Sequence, residues 1–207
     1  MRLLALKRPL DVIVSIALLD YTLWIWHRAN HGVPLLWRFH LVHHIDLDLD
    51  ASTALRFHFG EMALSVLFRA LQVILIGPTP DALSIWQNVL FGSILFHHSN
   101  LRLPLDCERL LTLVIVTPRM HGIHHSTHRG EADSNWSSLL SVWDRLHGTY
   151  RMDRPADAIV IGVPAYQDPA EVTLGRMLLL PFLEQRDDWR EDGDEPPEPE
   201  SGPFVQL

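Results

Sequence analysis

Apolar runs alternate along the chain with short polar stretches in which histidine recurs. The first run covers residues 10–26 and meets a charge only at Asp11 and Asp20. Pro9 precedes it and suits the first turn of a helix, where its missing N–H costs nothing. The run lies near the lower limit for a membrane span, which takes roughly 20 residues. Its two aspartates weaken that reading and leave a buried bundle helix as the alternative. A second run, residues 62–77, carries Arg69 and Gln72; a third, residues 82–96, carries Gln87 and Asn88. The Gly77-Pro78-Thr79-Pro80-Asp81 turn signal separates them. At about 16 residues each, these runs predict a helical hairpin that enters and leaves a locally thinned membrane on one side. Residues 110–116 are apolar but too short to span and are expected along the interface. Residues 134–150 read as a short helix and turn, and 158–163 as a strand or loop. Residues 173–182 read as an amphipathic surface segment. From 183 onward the chain is charged and proline-rich, the composition of a disordered tail. The organisation expected is an N-terminal segment (1–8), one membrane domain (9–182) and the tail (183–207).

The polar stretches hold the chemistry. Residues 27–44 read HRANHGVPLLWRFHLVHH, with His27 and His31 four apart and His40, His43 and His44 at i, i+3 and i+4. The second spacing returns as His121, His124 and His125. Gly32 and Pro34 predict a break between the helix bearing the first pair and the helix bearing the triplet. Random placement of the chain's 13 histidines gives ~0.05 matches to His-x-x-His-His, and the chain has two. On a helix these spacings share a face, so each triplet is expected to aim its three imidazoles at one point. Histidine is the commonest metal ligand. No glutamate occupies the metalloprotease position, because Arg28 follows His27 and Gly122 follows His121. Eight imidazoles exceed the four ligands of a tetrahedral ion and point to two ions. The Glu-x-x-His pattern of di-iron carboxylate bundles is missing, so the centre is nitrogen-rich.

Composition narrows the classes further. A net charge of −8 provides no basic footprint for nucleic acid. The single cysteine, Cys107, excludes an internal disulfide and a cysteine-held cluster. No G-x-G-x-x-G follows a strand, so no flavin or dinucleotide site is visible. Arg28, Arg38, Arg56, Arg102, Arg109, Arg119, Arg129 and Arg145 lie on the histidine side of the hairpin. The turn at 77–81 has no Lys or Arg, which puts the histidines in the cytoplasm by the positive-inside rule. Arg2, Lys7 and Arg8 oppose that placement if the first run truly crosses.

These motifs, with LLWRFHLVHH, TALRFH, HHSN, TPRMHGIHHS and WDRLHGTY around them, resemble the fatty acid hydroxylase/sterol desaturase superfamily from about Asp20 to Phe182. The resemblance implies an all-α, multi-pass membrane bundle with a cytosolic histidine-rich di-metal cap. It implies two iron ions, O2 as co-substrate, and hydroxylation or desaturation of an apolar lipid such as a sterol or fatty acyl chain. A separate electron donor, a ferredoxin or cytochrome system, follows from the missing flavin motif. The implied ligands are His27, His31, His40, His43, His44, His121, His124 and His125, with His98 as a ninth. His97 ranks lower, as a group behind the ligands or at the surface. His58 is weighed as a ligand or supporting group against an ordinary interface histidine; His128 reads as a loop residue and His147 as structural. Asp133, Asn135 and Asp144 are candidates to orient imidazoles or to cap turns, and Asp20 to support the site or serve the bundle. Two features depart from the family pattern. Asn135-Trp136-Ser137 stands where relatives commonly have Asn-Tyr-Gly, and only 26 residues precede His27. The second predicts a short form or an N-terminally truncated frame. A zinc-dependent lipid hydrolase, a metal-binding protein and an inactive membrane scaffold are the rival readings.

Overall fold

The computed structural model describes residues 8–186, 188 and 189. Most of the expected N-terminal segment, and the tail at 187 and from 190, lie outside the described residues. The first helix, α1 (Arg8–Gly32), joins the first apolar run to His27 and His31 in one piece of 25 residues, or about 37 Å of axis. It stops where Pro34 opens α2 (Pro34–His44), with Val33 between them in an extended conformation. The residue before a proline is driven out of the helical region, and proline itself fits the first turn.

The hairpin is α3 (Phe59–Ile76) and α4 (Pro80–His97), each of 18 residues. Gly77 closes α3 in the left-handed region at φ 65°, where a Cβ would be strained. The Thr79 hydroxyl then accepts from the Ala82 N–H to start α4. Both helices pack against α1 more closely than against each other. Arg8 lies 3.6 Å from Asp81, so α1 begins at the turn end of the hairpin, opposite the histidines.

Burial along α3 is inverted relative to a soluble helix. Its buried residues are Glu61 and Gln72, while Met62, Val66, Leu67, Leu71, Ile74 and Leu75 are exposed. A helix in water hides the second set and shows the first; in lipid the preference reverses. By length and composition, α1 and α3 can each cross a membrane.

The remaining elements are short and form a cap: α5 (Leu105–Leu111), α6 (Pro118–His124), α7 (Arg129–Ala132), α8 (Val142–His147) and α9 (Leu174–Leu179). No strand occurs among the described residues; the bridges Ile115–Leu140 and Ser126–Ile161 are isolated, and 158–163 is a loop. The segment expected to be amphipathic leaves Leu174, Leu179 and Phe182 exposed and buries Leu180 against Leu41 and Ile45. The start of the expected disordered tail is docked on the cap. Gln185 donates to the Arg38 carbonyl, Arg186 N–H to the Tyr166 hydroxyl, and Trp189 packs 6.0 Å from Trp37.

Two buried carboxylates pin the cap to α1. Asp20 accepts from Leu140 N–H and the Trp143 indole at 3.1 and 2.7 Å. It therefore serves the bundle rather than an imidazole. Asp144 accepts from the Trp24 indole, Trp136 N–H, Ser137 N–H and the Thr149 hydroxyl. Asp144→Ala strands these donors in a dry interior. It is expected to cost at least ~2 kcal/mol, read in detergent as a Tm lower by about 4–8 °C.

Candidate metal centre

All nine histidines expected as ligands converge, and they do so as two groups. His27, His31, His40, His44 and His124 form one; His43, His98, His121 and His125 form the other. In each group one ring nitrogen per residue lies within 4.8 Å of all the others. The expectation that each triplet aims at one point is not met, because each triplet is shared between the groups. Positions i and i+4 differ by about 40° around a helix, whereas i+3 and i+4 differ by about 100°. His40 and His44 therefore stay together while His43 turns to the second group. His121 and His125 likewise stay together while His124 turns to the first.

Hydrogen bonds behind the rings fix which nitrogen faces inward. The Nδ1–H of His27 donates to the Trp136 carbonyl at 2.7 Å, and that of His124 to the Ser134 carbonyl at 2.8 Å. His40 donates to Glu61 Oε1 at 2.8 Å and His98 to the Ile94 carbonyl at 2.9 Å. A donor at Nδ1 leaves a lone pair at Nε2. Nε2 of His31, His40, His44 and His124 is buried and has no protein partner. In the second group, Nε2 of His98 lies 3.2 Å from that of His43 and 3.1 Å from that of His121, which lies 3.1 Å from that of His125. His98 has no proton to offer there, so its inward lone pair can take an Nε2–H from His43 or His121 or bind a cation. Metal–nitrogen bonds of about 2.0–2.1 Å hold nitrogens roughly 3.0–3.4 Å apart. Donor type, tautomer and spacing all fit metal ions.

Glu61 is the partner that sequence reasoning missed. Its one visible signal is a lone acid at the edge of an apolar run. His58 lies in neither group: its Nδ1 accepts from Gly60 N–H to cap α3, and its Nε2 donates to the Leu178 carbonyl. His97 is fully buried rather than at the surface and packs 4.1 Å from His121, outside both groups. His128 is buried 3.9 Å from Glu131, not in an open loop. His147 stacks 4.1 Å from Trp24. Asp133 lies 3.7 Å from His31 Nδ1. Asn135 holds a left-handed turn (φ 54°) through Met120 and Arg151 and touches no imidazole. Asp144 acts at one remove, since it holds Trp136, whose carbonyl receives His27.

Two cavities reach the histidines. One, of about 390 Å³, opens between α1, α3 and α4. His27, His40, His43, His98 and His121 form its inner wall, and the exposed Leu55, Met62 and Phe91 lie on its lining. The other, of about 290 Å³, reaches His31 from the cap side between Trp37, Arg129, Asp133, Arg186 and Trp189.

Burial, reinforced by neighbouring rings, holds His43, His44, His121 and His125 well below the usual histidine range. Burial also lowers His98 to about 4 and His124 to about 3, partly offset by their carbonyl acceptors. In the unfolded chain these six take up protons as pH falls through about 6.5; in the folded chain they resist until far lower pH. Stability of the metal-free protein is therefore expected to fall steadily as pH drops below about 6.5, read as a declining Tm between pH 7 and pH 5. Glu61→Gln is expected to weaken metal retention about 10–100-fold in a chelator titration, with the fold intact by circular dichroism.

The description of the fatty acid hydroxylase family matches residues 12–149, a stretch that contains all nine histidines. Alkylglycerol monooxygenase of Danio rerio is 30% identical over 167 residues, 81% of this chain and 36% of that protein. Ornithine lipid hydroxylase OlsE of Rhizobium tropici is 31% identical over 156 residues, 74% of this chain and 45% of that protein. Cholesterol 25-hydroxylase of Rattus norvegicus is 24% identical over 163 residues, 77% of this chain and 53% of that protein. The chain thus spans between about a third and a half of the length of these relatives. No solved structure matches it. With its motifs, its paired histidine groups and this match over most of its length, the chain belongs to the fatty acid hydroxylase family.

Proposed function

We propose that this protein is an O2-dependent oxidoreductase that hydroxylates, or by a second hydrogen loss desaturates, an apolar lipid at a pair of irons held by the nine histidines. The observation that carries the proposal is the placement of two sets of convergent imidazole nitrogens at the end of a cavity with apolar walls. Iron bound there supplies what the polypeptide cannot, the O2-dependent oxidation of an unactivated C–H bond. The chain itself keeps the imidazoles neutral, orients them from behind and excludes water. Two of these relatives are hydroxylases, of ornithine lipid and of cholesterol, and the third is a monooxygenase, which favours hydroxylation here. His27 and His40 of the first group and His43, His98 and His121 of the second line the cavity, so a lipid carbon at its inner wall faces both groups.

The protein is read as integral and multi-pass, with residues 9–182 as one domain and the histidines on the cytoplasmic side. The lengths of α1 and α3, the apolar exterior of α3 and the arginines around the cap support that topology. Electrons come from a separate ferredoxin or cytochrome system.

Comparative lipidomics of cells with and without the protein under 18O2 tests this reading. One 18O atom in a lipid that appears only with the wild-type chain is the expected result, with loss of that product in His43→Ala and His124→Ala. Identical lipid profiles in wild type and variants would sink the proposal. So would stoichiometric zinc that alone restores activity, whereas two irons per chain with a matching Mössbauer spectrum support it.

A further inference from the structure

The wall that α3 gives to the apolar cavity is polar. Glu61, Ser65 and Arg69 recur every fourth residue and all line it. Two of the three are occupied: Glu61 receives His40, and the Ser65 hydroxyl accepts from the Trp26 indole at 3.2 Å. Arg69 is different. Its guanidinium lies 5.1 Å over the Trp86 ring and makes no hydrogen bond or ion pair among the described residues. Glu61 is the one carboxylate on the cavity wall, about 12 Å away along the helix axis, and it is engaged by His40. A guanidinium keeps its charge whatever its surroundings. Charged groups in membrane helices face cavities and pair with something there. Among the described residues none brings such a partner to Arg69, which leaves the place for a ligand.

Resting on the reading of this cavity as the lipid site, we infer that Arg69 anchors the oxyanion end of an amphiphilic lipid. A carboxylate or phosphate group takes the planar N–H fork, for which a bidentate geometry is natural. Trp86 backs the guanidinium and leaves its edge free to donate. The hydrocarbon then runs along the wall formed by Leu23, Phe91 and Ile94 toward His98 and His121. Arg69 selects the substrate and sets which carbon reaches the histidines; it is not a catalytic residue.

Binding to the purified, metal-loaded full chain in neutral detergent tests this without turnover. The probes are hexadecanoate, hexadecyl phosphate and hexadecan-1-ol, measured by equilibrium dialysis. The wild type is expected to bind at least one of the anions about tenfold or more tightly than the alcohol. Whichever anion is preferred identifies the headgroup. Arg69→Gln is expected to abolish the preference while leaving alcohol binding and metal content unchanged. Arg69→Lys, which keeps the charge but loses the fork, is expected to retain part of it. Equal binding of all three probes by the wild type overturns the inference. So does an Arg69→Gln variant that weakens all three equally, since Arg69 then serves packing alone. If Arg69→Gln does not fold, the wild-type preference and Arg69→Lys decide. Because no oxidation is measured, anion preference can fail while O2-dependent lipid oxidation stands, and the reverse outcome is equally visible.

Discussion

Nine imidazoles converging as two groups are the constraint around which this protein is arranged. Each buried, unmatched nitrogen costs roughly 1–3 kcal/mol, and Nε2 of His31, His40, His44 and His124 are such atoms. Such atoms are stabilised when the rings are held from outside and a cation can bind them from inside. The outside brace is visible in the carbonyls of Trp136, Ser134 and Ile94 and in the Glu61 carboxylate. It is uneven. His27, His40 and His124 of the five-membered group are gripped at Nδ1, whereas His98 alone is gripped in the four-membered group.

The brace has a scaffold of its own. Trp136 is in place because Asp144 holds its N–H, and Asp144 also holds Trp24 on α1. Asp20, about one turn earlier, secures Leu140 and Trp143. A cap of short helices with no sheet would have little rigidity alone; carboxylates buried against the long helix supply it. Glu108 repeats the device by receiving both Thr117, which caps α6, and Arg119 within it.

Much of this was legible in the residues. The apolar runs, the Gly32/Pro34 break and the 77–81 turn each have a local cause, and each helix boundary falls near it. The histidine spacing picked out eight of the nine residues that converge, and the resemblance the ninth, but the spacing misjudged how they combine. The arithmetic of a helix favours i with i+4 over i+3 with i+4, and it is the pair that shares a group. What sequence could not show was long-range pairing. Glu61 meets His40 across 21 positions, and Trp136 meets His27 across 109. Neither link leaves a local pattern. His97 was undervalued for a related reason: its burial comes from α6 and the cap, not from its own helix.

The two cavities share no lining residue and so give the centre separate doors. One has walls suited to hydrocarbon; the other, beside His31, presents indoles, guanidinium groups and a carboxylate. Molecules of opposite solubility therefore do not queue for one passage. On the proposed function, a long-chain molecule filling the first door would leave the second clear, so water-soluble reagents would arrive at a rate independent of how fast an oily product leaves.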